Sequence, residues 1–405
     1  MLNKDGQREL AYIVAIDEIK PIPNYDRVEH ARVGGWWVIV KKDQFKVGDL
    51  AIYIEVDSKV PEEEPFLFLE SKKYRVKTQK MCKVLSQGLL MHPNDFGWTV
   101  QNTGQFAGDL DIIQAEKDTF ILGDFVTEKL GITYYEPEDN KRKANSVDKY
   151  KKMAQRRPNI FKKPWAKWMM RRGWGKKVMF LFFGKKKDKK GAWPSWIKKT
   201  DEERCQNMPW LFPGGDEEFT ATEKIDGTST TFAIKGYGRK QEFYVCSRNV
   251  VQDTPERENY YDGNVYWEMA EKYNIKEKLA SLMDPNIEYI ILQGETYGAG
   301  IQKRDYSMEG HDFAAFNFIV KEENSEPIRF DWRPMKNTLE PLGIPVVPIV
   351  DMNFKIPETC EELLKIAEGP SAIDGKMREG IVIRSYDGQR SFKAVSNPFL
   401  LKYHS

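Results

Sequence analysis

The chain has 405 residues, enough for two or three domains, and its 40% apolar and 13% aromatic residues are typical of globular proteins. The N-terminal residues lack the apolar core of a signal peptide, and no apolar run approaches the roughly 20 residues of a membrane-spanning helix. These two features predict a cytoplasmic protein without membrane association, and the formal net charge is +2.

The first segment, residues 1–135, is predicted to consist of short strands. Residues 10–16, 35–40 and 50–56 are β-rich runs bounded by Pro, Gly, Asn and Asp, and residues 46–49 resemble a tight turn. This spacing predicts a small antiparallel β-barrel, for which an OB fold is the natural candidate. The pattern alone does not separate an OB fold from an SH3-like barrel.

Residues 136–200, hereafter the basic belt, have a different composition. Residues 141–200 contain 22 Lys or Arg and two acids, about +20, so the rest of the chain carries about −18. Such a belt favours one polyanion contact, and its aromatic side chains favour RNA over an anionic membrane surface. A solvated linker or insertion between domains is the alternative. The interleaved aromatic residues are Phe161, Trp165, Trp168, Trp174, Trp193 and Trp196, and the first three share a predicted helical face with Met169.

Residues 201–405 alternate strand-like runs with polar loops. The runs cover residues 218–221, 230–234, 244–247, 289–293, 313–320 and 380–385, and a helical stretch is predicted around residues 265–283. Together they predict an α+β domain of sheets with helices.

The cysteines give no sign of a disulfide framework or a zinc site. Cys82, Cys205, Cys246 and Cys360 show neither paired nor metal-ligand spacing, which fits a reducing compartment. The four histidines are equally scattered and form no two-histidine metal motif.

The sharpest motif is Glu223-Lys224-Ile225-Asp226-Gly227. A strand-like run precedes the lysine and an Asp-Gly turn follows it, so the amine is expected at the mouth of a sheet. A lysine that attacks the α-phosphate of a nucleotide must first lose its proton, which requires neighbouring cations or partial desolvation. Taken alone, this motif is a weak signal, because ordinary surface turns share it.

Five further motifs follow Lys224 in order. They are Ser247-Arg248-Asn249, Leu292-Gln293-Gly294-Glu295, residues 313–318 with Phe316, residues 378–384 with Glu379 and Arg384, and residues 391–395 with Lys393. Their order and spacing over about 170 residues resemble motifs I to V of the covalent nucleotidyltransferases, which include DNA ligases, RNA ligases and mRNA capping enzymes.

Residues 294–302 and 199–207 resemble features of RNA ligases with an N-terminal OB-fold module, as do residues 21–26, 45–50 and 86–89. This resemblance implies an OB-like, RNA-binding module in residues 1–135. Residues 201–405 would then be an adenylyltransferase domain with an ATP-grasp-like ligase fold of antiparallel sheets and helices.

The resemblance also implies a role for each motif residue. Lys224 would carry AMP from ATP, with Asp226 and Lys393 as further catalytic residues. A divalent ion, Mg²⁺ or Mn²⁺, would be bound by Asp226, Glu295 and Glu379. The nucleotide would contact Glu223, Ile225, Arg248, Asn249, Glu295, Phe316, Glu379 and Lys393, with Phe316 stacking on adenine.

Each of these residues also has a structural reading. Phe316 and Phe318 would pack in the core of any strand, and Arg248 and Arg384 would form surface ion pairs. One departure from the family pattern stands out, since Ser391 occupies the place of the first of two motif V lysines. Lys393 then acts alone, or Arg390 or Lys402 substitutes.

The resulting prediction is an ATP-dependent RNA ligase, expected to be monomeric, that joins RNA 3′-OH and 5′-phosphate ends, with nicked duplexes as the expected substrate. A partner kinase that supplies the 5′-phosphate is left open. The alternatives are an mRNA capping guanylyltransferase and a non-catalytic RNA-binding protein on the same fold. The chain ends soon after motif V, whereas capping enzymes and DNA ligases commonly carry an OB domain there.

Overall fold

The computed structural model describes residues 8–102, 111–135, 163–170, 179, 193–257, 261 and 263–404. The strands of the N-terminal module are β1 (Ala11–Ala15), β2 (Glu18–Ile22), β3 (Tyr25–Val33), β4 (Trp36–Lys41), β5 (Leu50–Ile54), β6 (Ser58–Lys59), β7 (Gln79–Met81), β8 (Val84–Ser86), β9 (Leu89–Met91), β10 (Thr99–Asn102), β11 (Asp111–Ala115), β12 (Asp118–Phe120) and β13 (Thr133–Tyr134). The three strands expected from the sequence are therefore confirmed as β1, β4 and β5. Strand β3 escaped prediction because its first half is polar and exposed.

These strands form small antiparallel sheets ordered β1-β5-β9, β2-β3-β4 and β10-β11-β12, with the pairs β6-β13 and β7-β8. The first two sheets enclose a core that contains Trp36, Val38 and Tyr53. They are joined by individual backbone hydrogen bonds, such as the one from the Gln87 N–H, just before β9, to the Trp37 carbonyl of β4. Among the described residues the strand pairs thus close no barrel, and the predicted barrel is observed as separate packed sheets.

The part of the basic belt that the structure describes is short. Helix α1 (Pro164–Met170) carries Trp165 and Trp168, whose exposed fractions are 48% and 50%. Phe161 and Trp174 lie outside the described residues. Trp193 and Trp196 instead pack on an apolar cluster of the C-terminal domain, with the Trp196 ring 4.7 Å from that of Tyr289. These two tryptophans therefore cover part of a sheet, in contrast to the exposed Trp165 and Trp168.

The C-terminal domain contains the strands β14 (Glu203–Arg204), β15 (Glu218–Lys224), β16 (Thr228–Lys235), β17 (Glu242–Ser247), β18 (Ile287–Gly298), β19 (His311–Glu322), β20 (Ile328–Arg329), β21 (Ile349–Lys355), β22 (Gly380–Ser385) and β23 (Ser391–Val395). Its helices are α2 (Val265–Lys272), α3 (Ile275–Ser281), α4 (Trp332–Leu339), α5 (Cys360–Ala367) and α6 (Asn397–Phe399), which continues as a π-helix (Leu400–His404). All six predicted strand runs are confirmed, within β15, β16, β17, β18, β19 and β22.

The predicted helical stretch around residues 265–283 is two helices. Asn274 adopts a left-handed backbone conformation with φ of 47° between α2 and α3, which an asparagine tolerates better than most residues. The break lets Met269 of α2 and Leu279 of α3 both enter the same buried core. In the described parts of the chain, no helix is long and apolar enough to cross a membrane.

Two five-stranded sheets position the functional site. The Lys224 sheet has the order β14-β23-β22-β15-β21, and the Glu295 sheet has the order β17-β16-β18-β19-β20. All neighbours are antiparallel except β14 and β23. Side chains alternate between the two faces of a strand. One face of the Lys224 sheet packs on α5, and one face of the Glu295 sheet packs on α2, α3 and α4. The remaining faces look into a common cleft.

Candidate active site between two sheets

Lys224 ends β15 at the mouth of the cleft, as predicted. It stands opposite Gly380, the first residue of β22, and its Nζ donates a hydrogen bond to Glu379 Oε2 at 2.8 Å. The lysine side chain is 24% exposed and that of Glu379 is 11% exposed. The turn after Lys224 requires Gly227, because a Cβ there would lie 2.4 Å from the carbonyl oxygen of Thr296. Strand pairing thus brings together two motifs that are 155 residues apart.

The electrostatic surroundings of Lys224 are acidic. Burial lowers the pKa of the amine, but the carboxylates of Glu379, Glu295 and Asp226 outweigh burial, so the pKa lies above its usual value. The sequence led us to expect cations or desolvation that would release the proton. Lys224 is instead held as an ammonium ion by these neighbouring carboxylates.

The carboxylate group, defined as Asp226, Glu295 and Glu379, reaches Lys224 from three different elements. Glu295 lies on β18 opposite Ser229 of β16, and burial raises its pKa to about 8. Asp226 is buried in the turn after β15, where its backbone N–H donates to Tyr306 Oη at 2.6 Å. Tyr306 is therefore a positioning residue that the sequence motifs did not indicate.

Metal binding by the carboxylate group remains a prediction. Within the described ranges, no three Asp, Glu, His or Cys side chains are arranged as a preformed metal site. Mg²⁺ commonly uses only one or two protein carboxylates and completes its shell with water and phosphate oxygens. The cluster of negative charge around Lys224 suits a cation bound in this way, and the hard oxygen donors suit Mg²⁺ or Mn²⁺.

Asp201 forms the opposite arrangement at the other end of the cleft. Its carboxylate lies 3.4 Å from Lys393 Nζ, 3.3 Å from Arg248 Nη2 and 3.3 Å from Arg8 Nη1. We call Arg8, Arg248 and Lys393 the cation group. Burial raises the pKa of Asp201, but these cations outweigh burial and lower it. Neither Asp201 nor Arg8 was predicted, although Asp201 lies within the segment 199–207 that resembles RNA ligases.

Lys393 differs from Lys224 although both belong to the Lys224 sheet. Burial lowers the pKa of Lys393, and the charges of Lys224, Arg204 and Arg248 lower it further against the opposing effect of Asp201. An incoming anion would therefore be favoured here. The cation group has the composition expected of a phosphate-binding site, with one arginine supplied by the N-terminal module.

Phe316 and Arg384 line a recess between the two sheets, together with Thr222 and Asn317. Phe316 has no register partner in β18, since Ala315 and Asn317 pair with successive residues there. Its ring is partly exposed, whereas Phe318 is buried in the core as expected. A flat base would fit against this ring.

The place of the missing motif V lysine is clarified by strand pairing. Ser391 stands directly opposite Arg384 on β22. The Arg384 guanidinium pairs with Glu202 at 2.9 Å and lies 5.8 Å from the Phe316 ring centroid. Arg390 instead pairs with Glu217 at the exposed surface. Arg384 is therefore better placed in the cleft than Arg390.

Lys402 lies over the ring of its neighbour Tyr403, 5.0 Å from the centroid. One predicted nucleotide contact faces elsewhere with its side chain. Glu223 is buried on the opposite face of β15 from Lys224, and its Oε2 accepts a hydrogen bond from the Ala372 N–H at 2.8 Å. Ile225 packs in the apolar cluster that Phe316 also contacts, so its nucleotide contact stays a prediction. Only the main chain of Glu223 is thus available to a ligand in the cleft.

Asn249 remains at the edge of the site. Its Oδ1 accepts a hydrogen bond from Lys199 Nζ at 3.0 Å. Gln293 lies two residues before Glu295 on β18, and its side-chain amide donates a hydrogen bond to the carbonyl oxygen of Lys198 at 2.9 Å. The C-terminal end of the basic belt is thereby fixed beside the cleft.

Comparisons with known proteins agree with this arrangement. The RNA ligase family model matches residues 217–401, which include every element of the cleft from β15 onward, and an OB-fold domain model matches residues 10–93. The C-terminal domain of the chain belongs to the RNA ligase family. The OB-fold match resolves the choice between OB and SH3-like folds left open by the strand pattern.

Solved structures of the Naegleria gruberi RNA ligase are similar to this RNA ligase over nearly the full length. A lysine-to-alanine variant with ATP and Mn is 26% identical with a TM-score of 0.66, covering 98% of this chain and 99% of that chain. The same ligase with PPi is 27% identical with a TM-score of 0.64 and the same coverage. No curated protein sequence shows significant similarity to the chain.

Proposed function

We propose that this RNA ligase joins RNA 3′-OH and 5′-phosphate ends in nicked duplexes through a Lys224–AMP intermediate formed from ATP. The observation that carries the proposal is the pairing of opposite charge patterns in one cleft. One amine, Lys224, faces three carboxylates, and elsewhere in the same cleft one carboxylate, Asp201, faces three cations. A triphosphate with a divalent cation is complementary to both. The Naegleria gruberi relatives with ATP, AMP, PPi and Mn support this ligand class.

The reaction begins when Lys224 Nζ attacks the α-phosphorus of ATP. A phosphorus–nitrogen bond forms, the bond to the β-phosphate oxygen breaks, and pyrophosphate leaves. Because the ammonium form has no lone pair, Lys224 must first give up a proton. A divalent cation bound by the carboxylate group would supply positive charge that lowers the pKa of Lys224. Asp226 and Glu379 hold the amine at the mouth of the cleft.

The other residues orient the nucleotide. Phe316 offers a ring for the adenine, and the recess beside it lies between the two sheets. The cation group faces the phosphates and offsets the charge that develops on departing pyrophosphate. Lys393 is the central member, since it lies on β23 beside β22 and is influenced by the charge of Lys224.

Two later steps complete sealing. The RNA 5′-phosphate attacks the phosphorus of Lys224–AMP, which breaks the phosphorus–nitrogen bond and gives an RNA-adenylate. The RNA 3′-OH then attacks the 5′-phosphate and expels AMP. The basic belt, with its 22 Lys or Arg in residues 141–200, and the OB-fold module would bind the duplex backbone around the nick.

The cellular setting belongs to the same proposal. A monomeric, cytoplasmic enzyme that acts after a 5′-end-healing kinase fits four cysteines in the thiol form and the need for a 5′-phosphate. The capping alternative is disfavoured because the full-length similarity is to RNA ligases. The non-catalytic alternative is disfavoured because Lys224, Glu295, Glu379 and Lys393 are all present in the cleft.

The test uses a nicked RNA duplex with a 5′-phosphate at the nick, magnesium and ATP. We expect sealed product from this substrate, little from single strands, and none when the nick carries a 5′-hydroxyl. GTP in place of ATP should give no protein label, and label from GTP alone would favour capping. Protein labelling from ATP without sealing of any RNA would contradict the proposed ligation step while leaving the adenylyltransfer intact.

A further inference from the structure

Two cysteines that are distant in sequence meet directly behind the active site. Cys205 Sγ lies 3.9 Å from Cys360 Sγ, and the two thiols form a hydrogen bond, although the two residues are 155 positions apart in the sequence. Both are free thiols. The absence of paired spacing in the sequence argued against any disulfide, but spacing along the chain does not limit which thiols the fold brings together.

The two thiols are chemically unequal. Cys360 is partly exposed and begins α5, directly after the N-cap Thr359. The hydrogen bond with Cys205 lowers the pKa of Cys360, and a helix N-terminus also favours a thiolate. Cys205 is completely buried, and its hydrogen bond with Cys360 together with burial raises its pKa. Cys360 is thus the more exposed thiol and the more readily ionised one, so it is expected to meet a dissolved oxidant first and Cys205 to react second.

We propose that Cys205 and Cys360 are a modification site at which a peroxide produces a reversible disulfide. The Cys360 thiolate attacks hydrogen peroxide, so a sulfur–oxygen bond forms, the oxygen–oxygen bond breaks and hydroxide leaves. Cys205 sulfur then attacks the sulfenic acid and displaces its oxygen as water. In total two thiols and one hydrogen peroxide give one disulfide and two waters. A dithiol reductant returns both thiols.

The position of Cys205 links this modification to the cleft. Cys205 follows Arg204, which pairs with Lys393 in the parallel β14–β23 ladder, and Asp201 lies four residues before it. A disulfide requires a sulfur–sulfur distance of about 2.05 Å, so the two sulfur atoms must approach each other from 3.9 Å.

Space around the pair is limited. A Cβ on Gly35 of the OB-fold module would lie 2.9 Å from both Cys360 Sγ and Gln206, and Asn207 Oδ1 accepts a hydrogen bond from Trp36 Nε1 at 2.8 Å. A densely packed junction transmits a displacement instead of absorbing it. We therefore expect oxidation to shift Asp201 and the cations it holds, and to slow AMP transfer to Lys224. This second expectation rests on the proposed function, whereas formation of the disulfide does not.

The experiment uses the full chain with Cys82→Ser and Cys246→Ala, so that only the two cysteines of interest remain. The protein is treated with hydrogen peroxide and digested without reductant for mass spectrometry, and labelling from α-labelled ATP is measured in parallel. We expect a peptide pair linked through Cys205 and Cys360, 2 Da lighter than the two thiol peptides. Labelling should fall about tenfold and recover with dithiothreitol. The additional substitution Cys360→Ser should make labelling insensitive to peroxide.

The outcomes separate the two parts of the inference. Accumulation of sulfinic acid on Cys360 without a linked peptide would overturn the disulfide. A linked peptide with unchanged labelling would support the disulfide and overturn its control of the active site. A linked peptide in a protein that takes no label even when reduced would support the disulfide, while the proposed function would fail independently.

Discussion

At one end of the cleft the ammonium group of Lys224 faces the carboxylate group, whereas at the other end the carboxylate of Asp201 faces the cation group. The two ends have the same arrangement with the signs of all charges exchanged. Each central residue is stabilised in its charged form, so the pKa of Lys224 is raised and that of Asp201 is lowered. At each end the charge of the central residue is therefore balanced by neighbouring side chains of opposite charge. A ligand that carries both charges, such as a nucleotide with a divalent cation, could take the place of those neighbours.

This comparison teaches that a depressed lysine pKa does not by itself identify the nucleophile. Perturbed pKa values do mark functional sites, yet the lysine with the lowered pKa is Lys393. Motif order and strand position assign the attack to Lys224 instead. In a site that binds a metal with its substrate, the charges present before binding are not those present during the reaction.

The strongest test of this assignment is replacement of each lysine. Lys224→Ala should reduce labelling from α-labelled ATP by more than about 1,000-fold, because no nitrogen remains to carry AMP. Lys235→Ala, at the far end of β16 in an ion pair with Glu288, should label like the wild type. If the Lys224→Ala variant still took up label, Lys224 could not be the nucleophile, and the attack would have to be assigned to the other end of the cleft.

Substitutions in and around the cation group should reduce AMP transfer less than the loss of Lys224 does. Lys393→Ala should lower the labelling rate about 100-fold, since it removes a charge that stabilises the departing pyrophosphate. Asp201→Asn should cost only about tenfold, because it loosens the cation group without removing a cation. A larger loss for Asp201→Asn than for Lys393→Ala in rapid-quench labelling would contradict the view that Asp201 only positions these cations.

The carboxylate group is open to a test by pH. Glu379→Gln removes the carboxylate hydrogen-bonded to Lys224, and that carboxylate raises the amine pKa. The labelling rate should rise with pH as the ammonium form loses its proton, and the variant should reach half its maximum at a lower pH than the wild type. Glu288→Gln, in exposed ion pairs, is the matched control. An unchanged midpoint would mean that Lys224 does not titrate in the measured step.

Glu295 gives a related prediction for stability. Its pKa in the folded protein is about 8, against a usual value of 4.5, so the folded state binds more protons than the unfolded state between these values. Its protonation therefore stabilises the fold fully below about pH 4.5, and this contribution is lost as pH rises through about 8.

Glu295→Gln keeps a neutral side chain at every pH. The melting temperature of this variant relative to the wild type should thus increase from pH 5 to pH 8 and level off by pH 9. Glu277→Gln, an exposed carboxylate on α3, should show no such trend in the same thermal scans. A constant difference for Glu295→Gln would contradict the buried, neutral carboxyl.

The basic belt should contribute least to AMP transfer and most to RNA binding. Replacing the five lysines in residues 185–190 with glutamine should leave labelling within about twofold. The slope of log affinity for a nicked duplex against log salt should become shallower by at least about 1, because fewer phosphate contacts release counterions. Filter binding between 50 and 200 mM salt measures it, and an unchanged slope would favour the linker reading of the belt.

Much of the fold could be predicted from local pattern. Strands such as β5 and β22 are buried along most of their length, and such strands appear in the sequence as continuous apolar runs. The polar strand β3 could not be recognised, because its stability depends on pairing with β2 and β4. The break at Asn274 was missed for a similar reason, since the gain from burying residues of both helices in one core is not a property of the local sequence.

The site shows the same division. The order of the motifs determined the choice of Lys224, Glu295, Phe316, Glu379 and Lys393, because each chemistry requires a particular residue type at a particular place along the strands. The tertiary structure decided what surrounds them, including Asp201, Arg8 and the contact between Cys205 and Cys360. Charge interactions and thiol contacts depend on distances of a few ångströms through space, and only the folded chain sets those distances.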